Sequence, residues 1–525
     1  MTLPVLPYQT HALSPVTHAR QVARARSGLI TRLTDRITVN GAVRDRCGSR
    51  VPESALLLTL LRETRSHRRC QDEITRYLRR HPARAGSFDR SLIDAALGAA
   101  AWHQSRSQPW LADFDHFTAP RKRLMFRTIL AIVGGARSET DSESIDYDGF
   151  ASWAELTLCA LKLLHLNNQG RGGPRELTFL TDRLRHGSTK PVWEGHVLAH
   201  LLALTALHRV APGHPLVAEG VTSLLRCQNP DGGIPFIDGF EVFCTATAGL
   251  ALLASSDHPR HLPPLLGDYL ADSQLPDGGW AYAADVRQSD VDDTAYCLQF
   301  LRALEPGRYA RHLRAGEEYL LTIANDDGGF PTFRHGHDSE SAMTAGAIAA
   351  LAPGRRESLP AVQRAVSHLL AAQQPDGTFG RSWSLSESNA VFRSVQALRQ
   401  APALPSSSRR ARIDRAMALA AGRLMTTQHA DGGWGQQPSE PGDVISTSYA
   451  LLTTRHWPTS PVHRAGVAHL LAHQHPNGGF TSRPDQAGPR PLPYDVPVLA
   501  DICALWALGD REAGAGVKLP LRRNE

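Results

Sequence analysis

The chain has 525 residues, 42% hydrophobic and 21% charged, too long for one ordinary core, so two domains are expected. A formal charge of +6 is small for this size and no nucleic-acid motif accompanies it, which sets nucleic-acid binding aside. No run of roughly 18 apolar residues exists to span a bilayer, and the 7 cysteines, odd in number and without C-x-x-C spacing, read as reduced thiols of a soluble, cytoplasmic protein.

In chain order, the N-terminus breaks its few apolar residues with Pro, Gln, Thr and His and is no signal peptide. Helices are predicted at Leu56 to Leu61, Leu92 to Trp102, Leu124 to Val133 and Trp153 to Leu166. The basic cluster Arg121, Lys122, Arg123 and Arg127, like Arg522 and Arg523, reads as solvated surface in preference to a site for an anionic substrate.

From residue 228 a short turn recurs. It reads Gln228-Asn229-Pro230-Asp231-Gly232-Gly233, then Gln274-Leu275-Pro276-Asp277-Gly278-Gly279-Trp280, with further copies at Asp327, Asp376, Asp431 and Asn477. Successive Asp/Asn positions are 46, 50, 49, 55 and 46 residues apart, so the copies form a repeat. Asn167-Asn168-Gln169-Gly170 is a degenerate turn of the same kind. Asp or Asn followed by Gly supplies the hydrogen bonding and positive φ of a tight turn, and each copy lies between two helical patterns. Repeated helical hairpins either stack into an open solenoid or close into a toroid. Helices after the turns, such as Thr344 to Leu351, are rich in small residues that suit a crowded inner ring, which favours an all-α protein of two α/α toroids.

After the second full turn comes Ser289-Asp290-Val291-Asp292-Asp293-Thr294. Equivalent helix starts carry single acids, Glu340, Glu387 and Asp443, which read as caps or first-turn residues favoured by the helix N-terminus. Three carboxylates in four positions exceed what capping needs. Like charges in a dry site cannot all ionise, so at least one carboxylic acid persists at neutral pH as a proton donor.

Asp290-Val291-Asp292-Asp293 matches the D-x-D-D signature of class II terpene cyclases, and the Gln…Asp-Gly-Gly-Trp turns resemble their repeats. The resemblance is closest to bacterial class II diterpene cyclases with a β and a γ domain. It implies residues 1–25 plus 256–525 as the β barrel carrying the signature, and residues 26–255 as an inserted γ barrel. It also implies Asp292 as the proton donor, with Asp290 and Asp293 tuning it. The expected reaction is cyclisation of an isoprenoid diphosphate, geranylgeranyl diphosphate on the family's habits, to a copalyl-type bicycle with the diphosphate retained. Farnesyl diphosphate giving a drimenyl-type product and a squalene-type cyclase are the alternatives.

The family's Mg²⁺ implies acids of the γ domain. Glu139, Asp141, Glu143, Asp146 and Asp148 are candidates, with Glu143, Asp146 and Asp148 preferred and Asp238 with Glu241 as a second possibility. Lys190 and Arg381 are candidates for diphosphate oxygens, and Trp280, Tyr296, Trp383, Phe392 and Tyr449 for walls that stabilise carbocations. A homodimer is compatible with the sequence. Protein prenyltransferase β subunits are a rival reading: Asp501-Ile502-Cys503 mimics part of their zinc site, but no His follows Cys503. A non-catalytic helical binding protein is the remaining class, and it has no need of the Asp290 cluster.

Overall fold

The recurring turns reverse the chain because their glycines hold a conformation that other residues avoid. Gly278 has φ +89°, and a Cβ there would fall 2.5 Å from the Ala315 carbonyl oxygen. The turn's glutamine ties its own loop to the next outer helix: Gln274 Nε2 donates to Gly278 O at 2.7 Å and to His312 O at 2.9 Å. Gln428 repeats this with Gly432 O and Val462 O. The aromatic that closes the motif is core, since Trp280 is 0% exposed and donates from Nε1 to Leu270 O at 2.6 Å. Removing such a side chain costs roughly 3–5 kcal/mol.

The computed structural model describes residues 15–99, 118–136, 144–150, 152–186, 190–401, 407–455 and 458–511. Helices Glu241–Leu253, Val291–Leu304, Ser341–Leu351, Glu387–Gln400, Val444–Thr454 and Val498–Ala507 pack in succession, and the last closes on the first. This is a toroid, not an open solenoid. Outside it lie Leu262–Asp272, Ala310–Ile323, Leu359–Ala372, Ser407–Thr427 and Pro461–His473, and the N-terminal helix Pro15–Thr34 completes the outer layer. That helix is bound at the seam by Gln474 Nε2 to Ala25 O at 3.1 Å and by Arg32 to Asp501 at 3.0 Å.

A second closed ring is built from Val51–Glu63, Phe88–Ala96, Ala119–Val133, Ser152–Asn168 and Val197–Val210. The expected domain limits shift in two places. Helix Pro15–Thr34 runs unbroken through the limit at residue 25, because Ala25, Leu29 and Leu33 are all buried on the side that meets the β barrel. Helix Glu241–Leu253, assigned by sequence to the inserted domain, stands in the β barrel's inner ring. Its small residues fit there: a Cβ on Gly249 would meet Phe300 at 2.5 Å.

A short hairpin, Gln486–Ala487 paired with Pro493–Tyr494, joins the two rings. Arg50 of the second ring donates to Gly488 O at 2.5 Å and to Pro493 O at 3.2 Å, and its charge is met by buried Glu53. All seven cysteines are unpaired, and no described helix is long and apolar enough to cross a membrane.

Candidate active site

The turn aromatic fixes the acidic cluster in place. Trp280 O accepts from Asp290 N at 2.9 Å, which sets Asp290 as the N-cap of Val291–Leu304, and its carboxylate accepts from Asp293 N at 2.8 Å. The next residues project from the first helical turn into an apolar cavity between the two rings, lined by Asp290, Asp292 and Asp293 together with Phe236, Phe240, Phe243, Tyr282 and Tyr494. Burial pushes Asp290 up to about 7. Burial, and then the negative charge of Asp290, pushes Asp293 well above the ordinary carboxylate range, and Asp293 Oδ1 has no hydrogen-bond partner. A proton therefore stays on this cluster at neutral pH.

Asp292 has a different neighbour. Arg393 Nη1, on helix Glu387–Gln400, lies 2.5 Å from Asp292 Oδ1, and the guanidinium also sits 5.0 Å over the ring of Tyr296. Arg393 reaches this place across the inner ring because position 346 is glycine: a Cβ there would fall 2.4 Å from Arg393 Nη2. Burial raises Asp292, and Arg393 opposes that rise. The two influences act on one carboxyl: burial favours its protonated form, and Arg393 stabilises its conjugate base.

The cavity lining is also cationic. Arg121 and Lys122 of Ala119–Val133 line it, Lys122 lying 5.6 Å over Trp153 and Arg121 4.8 Å over Phe150. Burial first, then Arg121 and Arg490, push Lys122 down to about 7. A smaller adjoining pocket, of about 540 Å³, adds Arg490, His337 and Glu340. Arg490 pairs with Glu340 at 2.7 Å, and Glu340 also accepts from Thr332 Oγ1 and Ser382 Oγ at 2.5 Å each. One carboxylate, already engaged, faces three cations. That charge balance suits an anionic ligand.

Of the residues singled out from sequence, Asp290, Asp292, Asp293 and Trp383 line the cavity. Trp280 is core, and Tyr296, Phe392 and Tyr449 are buried beyond the cavity, where Phe392 stacks on Tyr449 at 5.9 Å and meets Trp506 edge-on. Arg381 is exposed and donates to Leu385 O at 2.9 Å. Lys190 sits in a separate polar pocket with Asp238 and Glu241, 3.4 Å from the Glu241 carboxylate. Its charge is thereby balanced away from the cavity.

Glu139, Asp141 and Glu143 lie outside the described residues. Asp146 turns back to accept from Asp148 N, and exposed Asp148 pairs with Arg175 at 2.8 Å. Among the described residues no group of three or more acids, histidines or cysteines is placed to hold a metal.

Sequence reasoning missed Arg393, Lys122 with Arg121 as a half-buried pair at the cavity, Arg490, and the aromatic cluster of the cavity wall. A lone arginine within the otherwise uncharged stretch Ser388-Asn389-Ala390-Val391-Phe392-Arg393-Ser394-Val395 of an inner helix was the available signal for the first. Phe236, Phe240 and Phe243, bunched directly after the first full turn, were the signal for the last.

The family description "Prenyltransferase alpha-alpha toroid domain" matches residues 198–453 and 391–492. A drimenyl diphosphate synthase of Streptomyces showdoensis is 42% identical over 533 residues, covering 97% of this chain and 97% of that protein. A drimenyl diphosphate synthase of Streptantibioticus cattleyicolor is 42% identical over 510 residues, covering 92% of this chain and 94% of that protein. Among solved structures, ent-copalyl diphosphate synthase from Streptomyces platensis aligns with TM-score 0.58 at 21% identity, over 93% of this chain and 99% of that one. At that identity the likeness concerns the fold.

Proposed function

The chain belongs to the class II terpene cyclases, and we propose that it cyclises farnesyl diphosphate to a drimenyl-type bicyclic diphosphate. The observation that carries the chemistry is one apolar cavity lined both by buried carboxyls and by Arg121 and Lys122, with Arg490 in the adjoining pocket. Support for a fifteen-carbon substrate, in place of the geranylgeranyl diphosphate expected from sequence, comes from the 42% identity to two drimenyl diphosphate synthases.

Arg121, Lys122 and Arg490 hold the diphosphate, which leaves the polyene in the apolar cavity with its far end against Asp292. Asp292 gives its proton to the terminal double bond, and the carboxylate left behind is held by Arg393. The cation is captured in turn by the central and then the first double bond, forming two carbon–carbon bonds and two rings. Loss of a proton from the methyl group beside the final cation gives an exocyclic double bond, with the diphosphate intact. One proton enters and one leaves, so the product is an isomer of the substrate. Magnesium enters this reading only as a counter-ion of the diphosphate.

The test is to incubate purified protein and Mg²⁺ with farnesyl and geranylgeranyl diphosphate in separate reactions, alongside Asp292→Ala. A cyclic fifteen-carbon diphosphate from the wild type alone supports the reading. Turnover of geranylgeranyl diphosphate only would return the substrate to the longer chain, and activity surviving in Asp292→Ala would remove Asp292 from its role.

A further inference from the structure

A buried series of carboxyls and hydroxyls stands where the hairpin Gln486–Ala487 and Pro493–Tyr494 meets the β barrel. Asp485, 2% exposed, precedes the first strand, and Asp443, 5% exposed, caps helix Val444–Thr454. Ser386 Oγ lies 2.5 Å from Asp485 Oδ1 and 2.6 Å from Ser446 Oγ, and Ser446 Oγ lies 2.7 Å from Asp443 Oδ2. Three contacts between oxygens thus run in a row, while the two serines bring one hydroxyl proton each. With both carboxyls ionised, one contact has no proton in it. A third proton, held by a carboxyl, fills the row.

The remaining donors place that proton. Asp485 also accepts from Ser386 N at 3.0 Å and from Ser384 Oγ at 2.7 Å, so both of its oxygens serve as acceptors. Asp443 Oδ1 accepts from Ser446 N at 2.8 Å and Ser482 Oγ at 3.0 Å, which leaves Oδ2 facing Ser446 Oγ. A proton on Asp443 Oδ2 lets each hydroxyl donate in one direction, toward Asp485. Burial raises both carboxyls, Asp485 to about 6; Arg483 opposes the rise at Asp443 but is itself paired with Glu440 at 3.0 Å. Tyr449 and Cys503 face the pair from Val444–Thr454 and Val498–Ala507, and burial keeps both neutral.

The row ties the cavity wall to the barrel. Ser386 precedes helix Glu387–Gln400, Ser446 stands in the first turn of Val444–Thr454, and Asp485 leads into the hairpin. From that hairpin Gln486, Gly488, Pro489 and Tyr494 line the cavity, and Arg490 lines the adjoining pocket. Its Ala487 N donates to the carbonyl of Trp383, another lining residue, at 2.8 Å. We propose that Asp443 and Asp485 share one proton through Ser446 and Ser386, and that this proton positions the hairpin wall of the cavity. When it leaves, the row lacks a proton and the hairpin loosens from the barrel.

The folded chain holds this proton above the ordinary carboxylate range, so its contribution is full near pH 4 and is lost as pH rises past about 6. The experiment is hydrogen exchange of the full chain near pH 5 and pH 8.5, corrected for the chemical rate and read on residues 484–495. In the wild type this segment should exchange about tenfold faster at the higher pH. Asp443→Asn supplies an amide N–H where the proton stood, so its exchange should stay flat and its Tm should gain on wild type as pH rises. Ser446→Ala cuts the row, and fast exchange should persist at both pH values. In the active enzyme KM for farnesyl diphosphate should rise with pH in the wild type more than in Asp443→Asn, because the hairpin carries Arg490. Exchange of residues 484–495 that ignores pH in the wild type, or follows pH equally in Asp443→Asn, overturns the inference. Exchange needs no substrate, so it judges this inference separately from the functional reading above.

Discussion

Arg393 Nη1 stands 2.5 Å from Asp292 Oδ1, and the two residues come from inner helices with a third inner helix between them. The glycine at position 346 makes that reach possible. An alkene is a very weak base, so its proton donor must be protonated at rest and become a well-stabilised anion as the proton departs. Burial pushes Asp292 toward the first condition, and Arg393 supplies the second.

Replacing Arg393 by methionine should therefore lower kcat while moving the pH profile in a defined direction. Arg393 holds Asp292 below the value that burial alone would impose, so its removal raises that carboxyl further. A weaker acid transfers its proton more slowly, by a factor of about 10 to 100. The alkaline limb of kcat, where the acid loses its proton, should shift to higher pH. A limb that stays in place, or moves down, would show that Arg393 does not set the acidity of Asp292. A Tm scan of the variant separates this from unfolding.

Lys122 and Lys190 should respond in opposite ways. Lys122→Ala removes a charge from the cavity lining and should raise KM by about 10 to 100-fold, the range of one charge-assisted hydrogen bond, with Tm little changed. Lys190→Ala leaves Glu241, which is 4% exposed, without its 3.4 Å partner, so Tm should fall while KM stays near wild type. Steady-state kinetics and differential scanning fluorimetry on the two variants decide the matter. A raised KM in Lys190→Ala would return that lysine to the diphosphate site.

Glu194 predicts a pH dependence of stability. It is 0% exposed, has φ +48°, and accepts from Ser152 Oγ at 2.6 Å. Burial pushes it up to about 7, so the folded chain holds a proton there that the unfolded chain releases above about 4.5. Its contribution is complete below that lower value and is lost as pH rises through about 7. Glu194→Gln should thus match wild type near pH 5 and be more stable near pH 8.5, by an amount on the order of 2–3 kcal/mol. Equal Tm differences at the two pH values would contradict this.

The repeat made the toroid legible, because the tight turn recurs six times and four of the copies carry both the glutamine and the closing aromatic at fixed spacing. The acids were legible for the same reason: Asp290 follows Trp280 at the place where every unit starts its inner helix. What lay outside the reading depends on contacts between units. Lys190 and Lys122 have the same chemistry in the sequence; only the fold places Glu241 beside one and an apolar cavity beside the other. The limit set at residue 25 cut a helix because its buried stripe meets a surface about 470 residues away in the chain, as the Arg32 to Asp501 pair shows with its separation of 469. The aromatic candidates divide by depth: Trp383 lines the cavity, whereas Tyr296, Phe392 and Tyr449 are buried outside its lining, a distinction periodicity does not carry.

The most direct test of protonation-initiated cyclisation is to run the wild-type reaction with farnesyl diphosphate in D₂O and weigh the product before and after phosphatase. The account predicts a bicyclic diphosphate with one deuterium, at the carbon of the former terminal double bond distal to the new ring junctions. A cyclic product without deuterium, or one formed with release of free diphosphate, would contradict it.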